Sequence, residues 1–339
     1  MGTMLHLNAI LSSPDFYPLS IDRKRQVMRF VRMSPETYRR SIFLDSRTQS
    51  CGPETYEIRL DDLFLAQGSV KERHRHVHYI LHTTFCCSTL LARYFEEVPS
   101  CLVLKEPLLL TQLALQREEH EDWEDLFHLS VRLLTRPYAD GDLVVIKAHE
   151  PCNALGVRLL ENDPNATISF LITPLRQFLL AVLKSPERRA WVRTRIPSAA
   201  IAARCNVLAD TDPDLLSDAE AAAHLWLVNR HLCEMLAIGQ AATRVHVLDG
   251  DQLATSPREL VPRVAVACSM RANPAMVRAL SEQPAYLTYS KDLNRSYDAN
   301  ARQSELQDLE SQWGEEANEG IAWAAATGLE YGLEQLPFL

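Results

Sequence analysis

The residues best suited to chemistry fall into three short segments. The first, His82-Thr83-Thr84-Phe85-Cys86-Cys87-Ser88-Thr89, follows an apolar run and leads into an apolar stretch with Leu90, Leu91, Tyr94 and Phe95. A strand, loop and helix in that order aim free backbone N–H groups and the positive end of the helix dipole at one point, and the Ser88 and Thr89 hydroxyls add donors. That point suits a phosphate. The magnesium-nucleotide form of such a loop reads G-x-x-x-x-G-K-[ST], and both glycines and the lysine are missing here, which speaks against a nucleoside-triphosphate hydrolase. The plainer alternative is a strand-to-helix turn capped by Ser or Thr.

The second and third segments are Lys105-Glu106 and Lys147-Ala148-His149-Glu150, each standing directly after an apolar run. They combine ammonium groups, which stabilise developing negative charge, with a carboxylate and an imidazole that can take a proton. A lysine closing a buried strand needs an anionic partner. A ligand phosphate or sulfate would supply one; for Lys147 so would Glu150, or the side chain reaches water. Glu106 also reads as a surface acid in a Lys-Glu-Pro turn, and His149 as a structural residue.

The elements that must position these segments show in the hydrophobic pattern. Compact apolar runs recur at 77–81, 101–104, 143–146, 167–172 and 245–248, separated by longer amphipathic stretches. None alternates strictly, as expected for parallel strands buried on both faces and covered by helices. The expected fold is therefore a three-layer α/β/α domain with a central parallel sheet over 74–339. Residues 1–73 form an N-terminal extension without a sustained period. An open α/β sheet places its ligand beyond the C-terminal strand ends, which is where all three segments stand. Ser217-Asp218-Ala219-Glu220 reads as a capping box opening a helix that ends near Gly239. Ser256-Pro257 opens another through Val264 and Ala267. The stretch 281–311 is polar, and 313–325 reads as a closing helix. Arg188, Arg189, Arg193 and Arg195 form either an anion-collecting edge or, more simply, a solvated helix face. Trp226 reads as core packing.

In order, HTTFCCSTLLAR at 82–93, VLKEP at 103–107, VVIKAHEPCN at 144–153, FLITPLRQFLLAVLKS at 170–185 and VHVLDGDQLATSPREL at 245–260 resemble the sulfotransferase family, in particular a divergent bacterial branch. The resemblance spans roughly residues 77–335. It implies a P-loop-like fold of the sulfotransferase type. It also implies transfer of a sulfuryl group from 3′-phosphoadenylyl sulfate, a co-substrate used without a metal, to a hydroxyl or amine of a small-molecule acceptor. By the same resemblance Thr83, Thr84, Phe85, Cys86, Cys87, Ser88 and Thr89 would cradle the phosphosulfate. Arg176, Ser185 and Lys291, with Lys184 nearby, would serve the 3′-phosphate. Glu106, with His149 second, would take the acceptor proton while Lys105 and Lys147 neutralise charge. The family loop carries a basic residue before a Ser-Gly-[ST] turn, where this chain has Cys86-Cys87. Around Pro174 the places of the family's Arg and Ser hold Ile172 and Leu180. Two other functions stay open: an ATP- and magnesium-dependent kinase, and a non-catalytic nucleotide-binding or scaffold protein on the same fold.

Composition narrows the partners. With 35 basic and 44 acidic side chains among 339 residues, the net charge of −9 opposes a general nucleic-acid binder. The apolar runs are far shorter than the ~20 residues that span a bilayer, and the N-terminus lacks the pattern of a secretory signal, so a cytoplasmic location is expected. Eight scattered cysteines with no C-x-x-C spacing read mostly as small buried apolar residues rather than metal ligands or disulfides.

Overall fold

The computed structural model describes residues 2–51, 54–69, 74–98, 100–116, 120–203, 212–239, 242–268 and 299–331. Its strands are β1 (Phe16–Asp22), β2 (Val27–Arg32), β3 (Thr55–Arg59), β4 (His76–His82), β5 (Cys101–Lys105), β6 (Leu143–Lys147), β7 (Thr167–Ile172) and β8 (Val245–Asp249). The helices of the first half are α1 (Gly2–Ser12), α2 (Pro35–Arg40), α3 (Leu60–Ala66), α4 (Ser88–Glu96), α5 (Leu108–Leu115), α6 (Trp123–Leu134) and α7 (Gly156–Asn162). Those of the second half are α8 (Leu175–Leu183), α9 (Pro186–Ala203), α10 (Asp218–Ile238), α11 (Gly250–Thr255), α12 (Pro257–Ala267) and α13 (Ala299–Tyr331).

All five expected runs are strands of one parallel sheet, in the order β5-β6-β4-β7-β8. Non-sequential order requires crossovers, and helices supply them, giving the three-layer α/β/α architecture with a central parallel sheet. Burial explains the lack of alternation: every residue of β6 and β7 is buried. Two compact units emerge from the contacts, one built mainly from Met1–Ile80 and Ala92–Thr167, the other mainly from Leu81–Leu91, Ile168–Ala267 and the C-terminal helix.

In the first unit β5 and β6 run in register from Cys101↔Leu143 to Lys105↔Lys147. Parallel partners share a sheet face, so the two lysines close neighbouring strands side by side. The N-terminal segment holds a second, antiparallel sheet of order β1-β2-β3. Its register shifts between Pro18 and Ser20, and Pro18 is buried alongside Tyr17 and Leu19. A bulge next to a buried proline erases the period-two pattern on which recognition of a strand depends.

In the second unit β7 and β8 pair from Ile168↔Val245 to Ile172↔Asp249. Helix α10 opens with both bonds of the capping box, Glu220 N to Ser217 Oγ at 3.2 Å and Ser217 N to Glu220 Oε2 at 2.8 Å. Gly239 caps its end in extended conformation (φ −68°, ψ 178°) rather than left-handed. The closing helix differs from expectation: α13 begins at Ala299 and runs 33 residues. Its polar first half is held by charge, through Glu310 to Arg176 and Glu305 to Lys184 at 2.6 Å. Hydrophobic periodicity cannot reveal a helix docked in that way. Among the described residues no helix is long and apolar enough to cross a membrane.

Candidate active site

The loop after β4 lies in the second unit and follows an unusual path. Thr84 (φ 69°), Phe85 (53°) and Cys87 (61°) all occupy the left-handed region without being glycine. Each such residue costs on the order of 1–2 kcal/mol, so the loop persists only where its surroundings over-determine it. Thr173, directly after β7, provides much of that restraint. Its N–H donates to Thr83 Oγ1 at 2.9 Å and its hydroxyl donates to the Thr84 carbonyl at 2.7 Å. Its own carbonyl accepts from Trp226 Nε1 at 2.8 Å. The Thr83 N–H bonds the Leu171 carbonyl at 3.0 Å, and the Thr84 N–H reaches His82 Nδ1 at 3.0 Å. Gly250, the first residue of α11, completes the clamp, because a Cβ there would sit 2.6 Å from the Cys86 carbonyl oxygen.

The result is a rigid turn into α4. Ser88, Thr89 and Leu90 begin that helix, and their N–H groups have no intrahelical partners by geometry. Ser88 and Thr89 are buried, and the Thr84 hydroxyl is buried with no hydrogen-bond partner among the described residues. A strained backbone leading into a helix N-terminus is an arrangement that can receive an oxyanion. Phe85 packs its ring against Phe178 and Trp191, with the Arg188 guanidinium 4.6 Å from its centroid.

Arg188, Arg189 and Arg193 of α9 bond neighbouring elements rather than forming a solvated face. Arg188 donates to the Ala181 carbonyl at 2.6 Å, Arg189 Nε to Leu183 at 2.8 Å, and Arg193 Nη2 to Asp218 at 2.8 Å. Arg188 and Arg189 thus cap the end of α8, while Arg193 pairs with the Asp218 carboxylate in the first turn of α10. Of the residues expected at a 3′-phosphate, Arg176 bonds Glu310 and Asn318 of α13, and Ser185 bonds Glu187 at 2.5 Å. The bond to Glu310 holds the Arg176 guanidinium above its ordinary pKa and the Glu310 carboxyl below its own. Lys291 lies outside the described residues.

The strand-end residues belong to the first unit, and there the structure joins Lys147 to Glu106. The ammonium makes a short ion pair with Glu106 rather than with Glu150, and only 3% of the lysine side chain is exposed. Glu106 is itself left-handed (φ 53°) and pinned by its N–H to the Lys147 carbonyl at 2.6 Å. Lys105 is directed elsewhere. It pairs closely with Glu96 at the end of α4 and donates to the Arg39 carbonyl at 3.0 Å, capping α2. Burial pulls the Lys105 pKa down against the attraction of Glu96, and burial pushes the Glu96 carboxyl up. His149 is half-buried and caps the turn Glu150–Leu155 through its backbone.

Residues of the N-terminal segment border this pair, which the sequence did not suggest. Leu44 bridges the turn after β5, its N–H to the Lys105 carbonyl at 2.7 Å and its carbonyl accepting from Leu108 N at 3.0 Å. The Tyr17 hydroxyl holds the same carbonyl at 3.0 Å. That bridge sets Phe43 with its centroid 5.8 Å from Lys147 Nζ and 4.7 Å from the Arg47 guanidinium carbon. Asp45 raises the Arg47 pKa by hydrogen bonding, and the Glu106 carboxylate adds to the effect. Thr173 and Gly250 carried a weak signal, each directly after or one residue beyond an apolar run. Glu96, Phe43 and Arg47 carried none.

Six described cysteines are free thiols, and burial pushes Cys152 up to about 12. Among the described residues no group of three or more His, Cys, Asp or Glu side chains is placed to hold a metal ion.

No family model and no curated protein matches the chain. Solved structures similar to it include the sulfotransferase domain from the curacin biosynthetic pathway, 13% identical with TM-score 0.36, the match covering 72% of this chain and 99% of that one. A sulfotransferase from Alicyclobacillus acidocaldarius is 12% identical with TM-score 0.36 over 76% of this chain and 96% of its own. Another, from Mycobacterium avium, is 12% identical with TM-score 0.38 over 80% and 83%. All three are sulfotransferases. At this degree of overlap the likeness carries no argument for function, which rests on the residues.

Proposed function

We propose that the chain moves a sulfuryl group from 3′-phosphoadenylyl sulfate to a hydroxyl or amine of a small acceptor, acting in the cytoplasm without a metal. The observation that carries this reading is the strained loop 83–87, held in the conformation that receives an oxyanion by Thr173 and Gly250 although it lacks the glycines and lysine of a nucleotide-triphosphatase loop. The loop and the first N–H groups of α4 take the phosphosulfate; by the resemblance, neutralising the charge that builds as the donor's S–O bond breaks is the role of Lys147. The acceptor oxygen or nitrogen forms the new bond to sulfur, its proton passes to Glu106, and the 3′,5′-bisphosphate leaves. Binding of a sulfate at Lys147 gives the ammonium a second anion and releases Glu106 from its ion pair. Lys105 supports the site by fixing the end of β5 against α2 and α4. His149 stands second to Glu106 as proton acceptor.

Arg176 and Ser185 serve a 3′-phosphate only by leaving Glu310 and Glu187. That commitment favours, as a second reading, a protein that binds nucleotide without turnover. Calorimetric titration with 3′-phosphoadenosine 5′-phosphate, followed by a donor-consumption assay over mixed alcohols and amines, separates the two. Tight binding of the bisphosphate and turnover lost in Glu106→Gln with binding retained are expected. Thr173→Val, which strips a bond from the loop, weakens binding. Absence of bisphosphate binding to the wild type refutes both readings.

A further inference from the structure

Helix α13, in the second unit, is held by different means along its length. From Gly314 onward a buried row of small residues, Gly314, Ala317, Gly320 and Ala324, packs closely, and a Cβ on Gly320 would sit 2.9 Å from the Ala219 carbonyl oxygen. From Ser304 to Trp313 no residue is buried. That stretch carries three carboxylates, Glu305, Asp308 and Glu310, and no basic side chain.

Two of the three carboxylates rest on cations at α8. Glu310 meets the Nε and Nη2 edge of Arg176 with both oxygens, Nε to Oε2 at 2.9 Å, and Glu305 accepts from Lys184 Nζ at 2.6 Å. A carboxylate lying side-on along a guanidinium edge makes the contact that two oxygens of a phosphate would make, so the helix supplies its own stand-in for that ligand. Both cations are reachable. Arg176 is 40% exposed against 42% for Glu310, and Lys184 is 28% exposed against 54% for Glu305. Ion pairs this open hold weakly and are screened by salt, whereas a phosphate monoester brings a second negative charge to the same donors.

Release of the stretch leaves Arg176 in place. Its Nη1 also donates to Asn318 Oδ1 at 2.9 Å, in the close-packed half of the helix. Where the two halves meet, the Arg189 guanidinium carbon stands 4.4 Å from the Trp313 ring centroid.

We propose that residues 304–313 of α13 form an autoinhibitory strap, in which Glu310 and Glu305 occupy Arg176 and Lys184 until the 3′-phosphate of the nucleotide displaces them. The strap regulates the site of the sulfuryl-transfer reading, on which its role depends. The test titrates the full-length chain calorimetrically with 3′-phosphoadenosine 5′-phosphate and with adenosine 5′-phosphate, which lacks the 3′-phosphate. Glu305→Gln combined with Glu310→Gln should tighten the bisphosphate about three- to tenfold and leave the monophosphate unchanged. Glu315→Gln combined with Glu316→Gln removes the same charge from exposed positions one turn further on, and should leave both nucleotides unchanged. Hydrogen exchange over 304–313 should quicken when the bisphosphate binds the wild type, while 314–324 stays protected. The strap alone is overturned if the wild type and the Glu305 and Glu310 variant bind the bisphosphate equally, if the monophosphate or the Glu315 and Glu316 variant shows the same gain, or if exchange over 304–313 does not change. Failure of the bisphosphate to bind the wild type overturns the sulfuryl-transfer reading and the strap with it.

Discussion

Replacing Gly250 with alanine sets a methyl group 2.6 Å from the Cys86 carbonyl oxygen, 2.7 Å from its Cβ and 2.9 Å from its Cα. Two of these are backbone atoms, so no side-chain rotation relieves the contact. Cys86 must retreat by several tenths of an ångström, and it stands between the left-handed residues Phe85 and Cys87. Overpacking of this kind costs about 1–3 kcal/mol. At about 2–4 °C per kcal/mol for a unit of this size, the midpoint of thermal unfolding should fall by about 2–12 °C. The displaced loop should also weaken 3′-phosphoadenosine 5′-phosphate in a calorimetric titration. Gly320→Ala is the matched control, because its Cβ would meet the Ala219 carbonyl at 2.9 Å and Leu179 Cδ1 at 3.1 Å. It should lower the unfolding midpoint and spare the nucleotide. A Gly250→Ala protein that melts with the wild type and binds nucleotide unchanged would refute the clamp around Cys86, as would equal loss of affinity in both variants.

Two further outcomes follow from charge. Lys105 and Glu96 form a buried pair, so Lys105→Met or Glu96→Gln alone should cost about 3–5 kcal/mol in urea unfolding, whereas Lys105→Met with Glu96→Leu should recover most of it; equal losses in the single and double variants would contradict the pairing. Hydrogen bonds from Arg25 and Arg29 draw Glu57 from its ordinary 4.5 down to about 2. A carboxyl depressed on folding stabilises above its unfolded pKa, and that contribution fades as pH falls through the folded value. The gap in unfolding midpoint between wild type and Glu57→Gln should therefore be full at pH above 4.5 and close towards pH 2; a gap that widens in acid would show the sign to be wrong.

Much of the architecture was legible along the chain. The five sheet strands were readable because burial on both faces demands uninterrupted apolar runs. Helix α10 was readable because a capping box is a local device of four residues. The β1–β3 sheet was hidden by its bulge, and the first half of α13 by docking through ion pairs instead of an apolar stripe.

The order of segments along the chain also determined where functional groups stand, since hydroxyls and ammonium groups placed after apolar runs must arrive at strand ends. Tertiary structure alone decided their partners. Lys105 and Lys147 occupy matching register positions, yet one meets Glu96 and the other Glu106. Likewise nothing near residues 83–87 announces that Thr173, 90 positions further on, holds them in left-handed conformation. Strand position is a consequence of local burial, written in consecutive residues. The choice of counter-ion depends on which distant chain segment packs within about 3 Å, and Coulomb energy and hydrogen bonding at that range have no trace in local sequence.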